Sequence, residues 1–293
     1  MLTPNQSLPK ISIITTTFNS EQTLEDTLNC IQQQTYPNIE HVFIDGGSTD
    51  NTIRLIQRHL SNVPSHQFLS EPDKGIYDAM NKGIKLATGD YICFLNSDDF
   101  YVNNFVIENV VATINENDHP DTVYGDLWYV DEHNTDSVFR FWQAGSFSRY
   151  KMLFGWMAPH PTFFVKKEVL ERYGAFKNQL TLAADYEMMV RLLFFKKCTT
   201  AYIPHILVKM RLGGQGNKAI KNRMVANQED RIAWRYNGYF SPLIYFITIC
   251  KPLRKILQFL PFFKKKILQA TLPSRQPSLN LELSSQQGKQ KNN

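Results

Sequence analysis

Gly89-Asp90-Tyr91-Ile92-Cys93-Phe94-Leu95-Asn96-Ser97-Asp98-Asp99-Phe100 is the stretch on which the fold turns. Tyr91 to Leu95 is a short apolar run with the length and composition of a buried strand. It stops at Asn96-Ser97-Asp98-Asp99, which sets two adjacent carboxylates at the strand's carboxyl end. In open α/β sheets, ligands bind just outside the strand carboxyl ends. Hard oxygen donors there suit Mg²⁺ or Mn²⁺, ions often shared between one or two carboxylates and substrate phosphates. The plain alternative is that Asp98-Asp99 caps a helix starting near Asn103.

The chain around this stretch has 293 residues, enough for one large domain or two small ones. With 43% apolar and 13% aromatic residues it has ample material for a core, which excludes disorder over most of its length. The net charge of +5 is unevenly placed: from Lys251 onward there are nine Lys/Arg against one acid, Glu282, so residues 1–250 carry a net −3. A nucleic-acid surface would need basic residues across one face of the body, so no nucleic-acid partner is expected. Cys30, Cys93, Cys198 and Cys250 are widely separated, with neither zinc-site nor disulfide-frame spacing, and read as buried apolar residues in a reducing compartment. The first nine residues show no charged-then-apolar signal pattern, and no run of 18 apolar residues occurs, so neither a signal peptide nor a certain membrane span is expected.

From the other end, Lys10 to Thr17 is rich in β-branched residues and predicts a central strand. Asn19 or Ser20 can cap the next helix, in which Leu24, Leu28 and Ile31 recur at helical spacing to about Gln34. Ile39 to Asp45 is a second strand. Asp45-Gly46-Gly47-Ser48-Thr49-Asp50 then turns the chain into an amphipathic helix over about Asn51–Leu60. Phe68-Leu69 ends a short third strand, and a helix over about Ile76–Leu86 returns the chain to Gly89. The β-α-β-α-β-α-β order implies a parallel sheet with right-handed crossovers. Asn19, Asp45 and the Asn96–Asp99 group all fall at strand ends and should converge on one sheet edge, which favours a ligand cleft. A dinucleotide fold would need Gly-x-Gly-x-x-Gly after the first strand, and Thr-Thr-Thr-Phe-Asn-Ser has no glycine at all. Without a glycine cradle, a phosphate-bearing ligand needs another neutraliser, and a divalent ion on Asp98 and Asp99 would serve.

Four segments in order, Ser12–Asn19, Phe43–Thr52, Ser70–Gly83 and Ala87–Asp99, resemble the family 2 inverting glycosyltransferases of the GT-A fold, especially bacterial members building exopolysaccharide, capsule or O-antigen chains. The resemblance implies a single α/β GT-A domain with a mainly parallel central sheet. It also implies inverting transfer from a nucleotide-diphospho-sugar donor. Carried across, Thr16 and Phe18 would line the base pocket and Asp45 would hydrogen-bond the base. Asp73, Lys74 and Asn81 would lie near the nucleoside and Asn96 near the ribose. Asp98 would bind Mn²⁺ or Mg²⁺ at the diphosphate, with Asp99 supporting it. Phe18 reads equally as a core aromatic. Many members of the family have Asp where this chain has Asn96, so Asn96 is read as a ribose contact and not a metal ligand.

Further along, Asp121–Val130 and Val138–Trp142 predict strands, and His160-Pro161-Thr162 lies among aromatics and prolines. A His-x-Thr-Phe segment borders the acceptor site in the resembled family, which makes His160 and Thr162 acceptor-lining candidates against a purely structural reading. Asp185 falls in the first turn of a helix, where the dipole favours an anion. By resemblance Asp185 is the base that deprotonates the acceptor hydroxyl, and inverting displacement needs a carboxylate within hydrogen-bond reach of it. Glu187 would project from a different face of the helix. Lys209–Asn217 is a basic, glycine-rich loop, read either as a connection or as a lid whose Arg211 clamps the diphosphate.

Residues 239–269 alternate apolar runs with Lys/Arg clusters and contain no acid. This fits an amphipathic basic helical segment lying on an anionic membrane surface, or a helix packed on the domain. The expected layout is a tail over 1–9, the transferase domain over 10–235 (donor half 10–100, acceptor half 101–235), the membrane-associating segment over 236–270 and a disordered tail over 271–293. The expected protein is a cytoplasmic, metal-dependent sugar transferase. It would sit peripherally on the inner membrane and act on a lipid-linked saccharide acceptor in cell-surface polysaccharide synthesis. The alternatives are a catalytically silent sugar-nucleotide-binding protein of the same fold and a nucleotidyltransferase.

Overall fold

The computed structural model describes residues 8–61, 65–212 and 220–257. The expected tail over 271–293 and most of the tail over 1–9 lie outside them, as do residues 213–217 of the glycine-rich loop and 258–270 of the C-terminal segment.

The first half follows the expected alternation: β1 (Ile11–Thr17), α1 (Leu24–Gln32), β2 (Ile39–Asp45), α2 (Thr52–Leu60), β3 (His66–Ser70), α3 (Ile76–Leu86) and β4 (Tyr91–Phe94). β1 pairs in parallel with β2 and with β4, and β2 with β3, so the carboxyl ends of these four strands share one edge. Side chains alternate across the sheet as strand geometry requires. Ile11, Ile13, Tyr91, Cys93 and Leu95 enter one core, while Ile14, Ile92 and Phe94 enter the core on the opposite face. α3 lies so close to β1 that a Cβ on Gly83 would come within 2.5 Å of Ile14 Cγ2.

The residues after β4 differ from the capping alternative. Asp99 does not cap a helix; it opens a second short strand, β5 (Asp99–Tyr101), and the next helix, α4 (Val106–Glu116), begins later. The second half adds β6 (Thr122–Val130), β7 (Val138–Trp142), α5 (Arg149–Met152), a 3₁₀ turn at His160–Thr162, β8 (Phe164–Lys166), α6 (Lys167–Tyr173), α7 (Ala184–Met189), β9 (Thr200–Arg211), α8 (Ile220–Tyr236) and α9 (Leu243–Leu257). α7 continues as a π-helical stretch over Val190–Phe195. The strands form one mixed sheet in the order β3-β2-β1-β4-β8-β6-β9-β5, with β7 paired on β6. β8 joins β4 and β6 antiparallel, which carries the first half of the sheet into the second without a break.

β9 does the long-range work. It runs parallel to β6 and antiparallel to β5, so Asp99 pairs with Met210 and the end of β9 lies against the Asp98-Asp99 loop. At the opposite edge of the sheet, buried Glu40 accepts from Ser12, Thr88 and Lys10. Burial works against its charge, yet those hydrogen bonds hold its carboxyl below the ordinary range, and it serves as a structural tie.

Candidate active site

The site is built at the carboxyl ends of β1, β2 and β4 together with the start of α7. Asp45 ends β2 fully buried, and its oxygens accept from Thr17 Oγ1 (3.0 Å), Ser48 Oγ (2.5 Å), Ser70 Oγ (2.8 Å) and the amides of Gly47 and Ser48 (3.0 Å each). Burial opposes its ionisation, but those donors outweigh it and hold the carboxyl below the usual value. Five donors fill the roughly four lone-pair sites of a carboxylate. Asp45 therefore shapes the Gly46–Ser48 turn and has no acceptor left for a nucleobase, contrary to the expectation.

Gly46 shows what takes that place. A Cβ on Gly46 would meet Asp73 Oδ2 at 2.5 Å and Phe18 Cδ2 at 3.4 Å, so the Asp73 carboxylate and the Phe18 ring close over a bare backbone. Phe18 is 62% exposed, which removes the core-aromatic reading and leaves a ring presented at the mouth of the cleft. Asp73 Oδ1 accepts the Gly75 amide at 2.8 Å. Thr16, two residues before Phe18, is buried at the end of β1, and Lys74, next to Asp73, is exposed. Asn81 is committed elsewhere. Its amide donates to Phe176 O and Asn178 Oδ1, and its carbonyl accepts the Phe176 amide, so it braces α3 against the 176–178 loop and does not face the nucleoside. Asn19, at φ 49°, caps no helix; its Oδ1 accepts the Thr49 amide and ties the first two strand-end loops together.

The loop after β4 is anchored through its backbone. Thr23 donates to Ser97 O at 2.9 Å, Thr27 to Asp99 O at 2.7 Å and Arg211 to Asp98 O at 2.8 Å, while the Ser20 and Ser97 hydroxyls meet at 2.8 Å. Asp98 is half-buried on this loop. Asp99 is fully buried behind it, with one oxygen accepting from Asn96 Nδ2 at 3.1 Å. Burial and the neighbouring Asp98 charge push the Asp99 carboxyl well above the ordinary range. Asp99 Oδ1 and Asn96 Oδ1 are buried with no hydrogen-bond partner. Unpartnered acceptors beside an acid are what a bound cation would relieve, and all the donors are hard oxygens. Among the described residues no group of three or more His, Cys, Asp or Glu could hold an ion. An ion here would accordingly rest on Asp98, with Asp99 behind it, and complete its shell with phosphate oxygens and water, which is the habit of Mg²⁺.

Arg211 departs from the diphosphate-clamp expectation. Its guanidinium is buried, forms an ion pair with Asp26, donates to Asp98 O and lies over the Phe100 ring. It steadies the loop that carries Asp98 from behind, with its donors turned away from the cleft.

Across from this loop in the chain's second half, Asp185 stands in the first turn of α7. Its Oδ1 accepts from the Tyr77 hydroxyl at 3.2 Å and from the Tyr186 amide at 2.8 Å. The chain entering α7 is held by buried Glu229 of α8, which accepts from Thr181 (amide and hydroxyl), Leu182 and Ala183. Glu187 is fully buried in an ion pair with Arg191 at 2.9 Å, and Arg191 also donates to three successive carbonyls, Tyr173 to Ala175. It is structural. The His160 ring stacks on Phe94 at 5.4 Å and meets Phe176 edge-on, and neither ring nitrogen has a hydrogen-bond partner. Burial lowers its pKa in spite of the nearby Asp185, so the ring is neutral at pH 7. Thr162, by contrast, is wholly buried, its hydroxyl 2.9 Å from both Gly125 O and Pro159 O, pinning the 3₁₀ turn instead of lining a cleft. Sequence reasoning passed over Tyr77, Glu229 and Gly46. Tyr77 stood in view within Ser70–Gly83, one turn before Asn81 on the same helix face.

The glycosyl transferase family 2 sequence model matches residues 12–174, over half of the chain. The chain is a family 2 glycosyltransferase. It is 31% identical over 215 residues to a PGL/p-HBAD biosynthesis glycosyltransferase of Mycobacterium bovis, covering 72% of this chain and 81% of that protein. An uncharacterised glycosyltransferase of Mycobacterium tuberculosis is 32% identical over 187 residues, covering 63% of this chain and 69% of that one. Among solved structures, S. aureus TarS residues 1–349 in complex with UDP-GlcNAc superposes with a TM-score of 0.61 at 18% identity, over 76% of this chain and 65% of that one. The mannosyltransferase PcManGT of Pyrobaculum calidifontis, in complex with GDP-Man and Mn²⁺, gives 0.59 at 19% identity, over 84% and 69%. At these identities the likeness is one of fold, and it establishes the GT-A arrangement for this glycosyltransferase.

Proposed function

We propose that this glycosyltransferase moves a sugar, with inversion, from a nucleoside-diphospho-sugar to a hydroxyl of a lipid-linked saccharide in cell-surface polysaccharide synthesis. The observation that carries the reading is the placement of Asp185 beside the end of β4. His160 stacks on Phe94, four residues before Asp98, and its ring lies near Asp185, which supports a base and a diphosphate-side acid flanking one cleft. Phe18 and Asp73 offer a ring and an acceptor for the base. Asn96, whose Oδ1 has no partner, would contact the ribose. Asp98, backed by Asp99, would hold Mn²⁺ or Mg²⁺, which would neutralise charge developing on the leaving diphosphate. Asp185 takes the proton from the acceptor hydroxyl, held in place by Tyr77. The neutral His160 ring, packed on Phe94 and Phe176 with both nitrogens buried, lies near Asp185 without competing for that proton. The neighbours solved with UDP-GlcNAc and with GDP-Man support a sugar-nucleotide donor without selecting one.

The location follows from the acceptor. Among the described residues no helix is long and apolar enough to cross a membrane. A protein working on a lipid-linked saccharide would sit peripherally on the cytoplasmic face of the inner membrane, and the apolar and basic composition of residues 239–269 supports that.

A transfer assay with Mn²⁺ across UDP-, GDP- and dTDP-sugars tests the chemistry. Asp98→Ala and Asp185→Asn are each expected to abolish turnover while the protein stays folded. Transfer that survives both substitutions would refute the mechanism.

A further inference from the structure

α9 is built inside out. Of its described side chains, the arc facing the domain is Ile244, Ile247, Thr248 and Lys251, all buried or nearly so. The arc facing away is Leu243, Tyr245, Phe246 and Ile249, with Phe246 47% and Ile249 59% exposed. The single charge in that stretch, Lys251, points inward. Its ammonium pairs with buried Asp230 at 2.6 Å and sits 3.6 Å from the Tyr186 ring centroid. A helix on an ordinary solvated surface shows the reverse polarity.

The outward apolar arc does not end with α9. Phe154, just beyond α5, is exposed and meets Phe246 at 5.9 Å between ring centroids, and Tyr150 of α5 is 75% exposed. Gly155, at φ 73°, lets the backbones touch: a Cβ there would lie 2.4 Å from the Lys251 amide. The rim is basic. Arg149 and Lys151 flank Tyr150, Arg231 lies over the Tyr245 ring, and Arg235 borders an open groove of about 350 Å³ shared with Phe240 and Tyr245. No acid occurs between Tyr239 and Gln269.

Contiguous exposed aromatics mark an interaction surface, and aromatic rings with Lys/Arg around them match the boundary between anionic headgroups and acyl chains. We propose that the outward arc of α9, continued by Tyr150 and Phe154, is a docking face for an anionic lipid bilayer. This deepens the peripheral-membrane reading by naming the face, and it rests on that reading. It also fixes an orientation. The inward side of the same helix touches Tyr186 of α7, so docking sets α7 one helix away from the membrane.

The test is co-sedimentation of the full chain with vesicles of phosphatidylglycerol and phosphatidylcholine, against vesicles of phosphatidylcholine alone. The parent should bind the anionic vesicles, and Phe154→Ser/Phe246→Ser/Ile249→Ser should lower the bound fraction about five- to tenfold with an unchanged melting temperature. A Tyr245→Trp variant should show blue-shifted emission on adding anionic vesicles. Unaltered binding by the triple variant, equal binding to both vesicle types, or no shift from Trp at 245 would each overturn the proposal. So would a parent dimer that the triple variant converts to monomer, because a second copy would then cover the face. A triple variant that melts lower yet binds as before would assign the face to residues 258–263 of the same chain, and would overturn it as well. None of these readouts requires a sugar nucleotide, so failure here and failure of sugar transfer are separately visible.

Discussion

Asp185 illustrates how much of a candidate site is decided by neighbours and not by the residue itself. Its helix position is readable from sequence, but its setting comes from the Tyr77 hydroxyl, 108 residues away in the chain, at 3.2 Å. A hydrogen bond to a charged acceptor contributes on the order of 1.5–3 kcal/mol, and about 1.4 kcal/mol is a factor of ten in rate. Tyr77→Phe should therefore lower kcat about tenfold or more while leaving the donor KM nearly unchanged, because the lost bond orients the proposed base, Asp185. Steady-state kinetics on both substrates checks this; an unaffected kcat, or a change confined to donor KM, would remove Tyr77 from the base's surroundings. The same limit explains why Asp45, Asn81, Thr162 and Arg211 read differently in the structure. A motif shows which side chain stands at a strand end. It does not show that Asp45 already takes five hydrogen bonds, or that Arg211 is paired with Asp26.

Elements were more legible than side chains. β1 to β4 and the helices between them follow from β-branched runs and helical spacing, because each is a local pattern with a face to bury. β5 escaped notice because three residues pair only with β9, more than a hundred residues later, and no local period encodes that. The contact between α3 and β1 depends on a single missing methyl group. Gly83 is buried in mid-helix, and a Cβ there would lie 2.5 Å from Ile14 Cγ2, 3.2 Å from its Cδ1 and 3.4 Å from its Cγ1. Gly→Ala in a helix interior normally gains up to about 1 kcal/mol, whereas forcing atoms into a filled core costs roughly 1–3 kcal/mol. The methyl strikes Cγ2, which is held close to the β1 backbone and cannot swing away, so the packing cost should win. Gly83→Ala is expected to lower the urea midpoint with an unchanged m-value. A raised midpoint would show that α3 has room to move off the sheet.

At the scale of the whole molecule, stability should depend on pH through groups remote from the cleft. His41 of β2 is fully buried, with Nε2 paired to Thr15 Oγ1 at 2.9 Å and Nδ1 unpartnered. His59 of α2 sits 5.5 Å from it, ring to ring, with its own Nε2 buried and unpartnered. Burial, then the other histidines including His66, holds His41 well below its ordinary value and takes His59 to about 4. In the unfolded chain both titrate near 6.5. Between pH 6.5 and about 4 the unfolded state thus binds protons that the folded state refuses, so stability falls as pH falls through that window. Asp99 acts in the opposite sense: its raised folded pKa means that, without a cation, acidification from neutrality relieves a buried charge. Glu40 and Asp45 are held low and lose their contribution only at still lower pH. Melting temperature recorded from pH 8 to pH 4 should accordingly decline steeply below pH 6.5, and His59→Phe should flatten that decline, since its ring can keep the edge contacts with Phe43 and His41. Added Mn²⁺ should raise the melting temperature at pH 8 and lose its effect towards pH 4, as protons compete for Asp99. A decline that His59→Phe leaves intact would place the acid sensitivity in His41 instead.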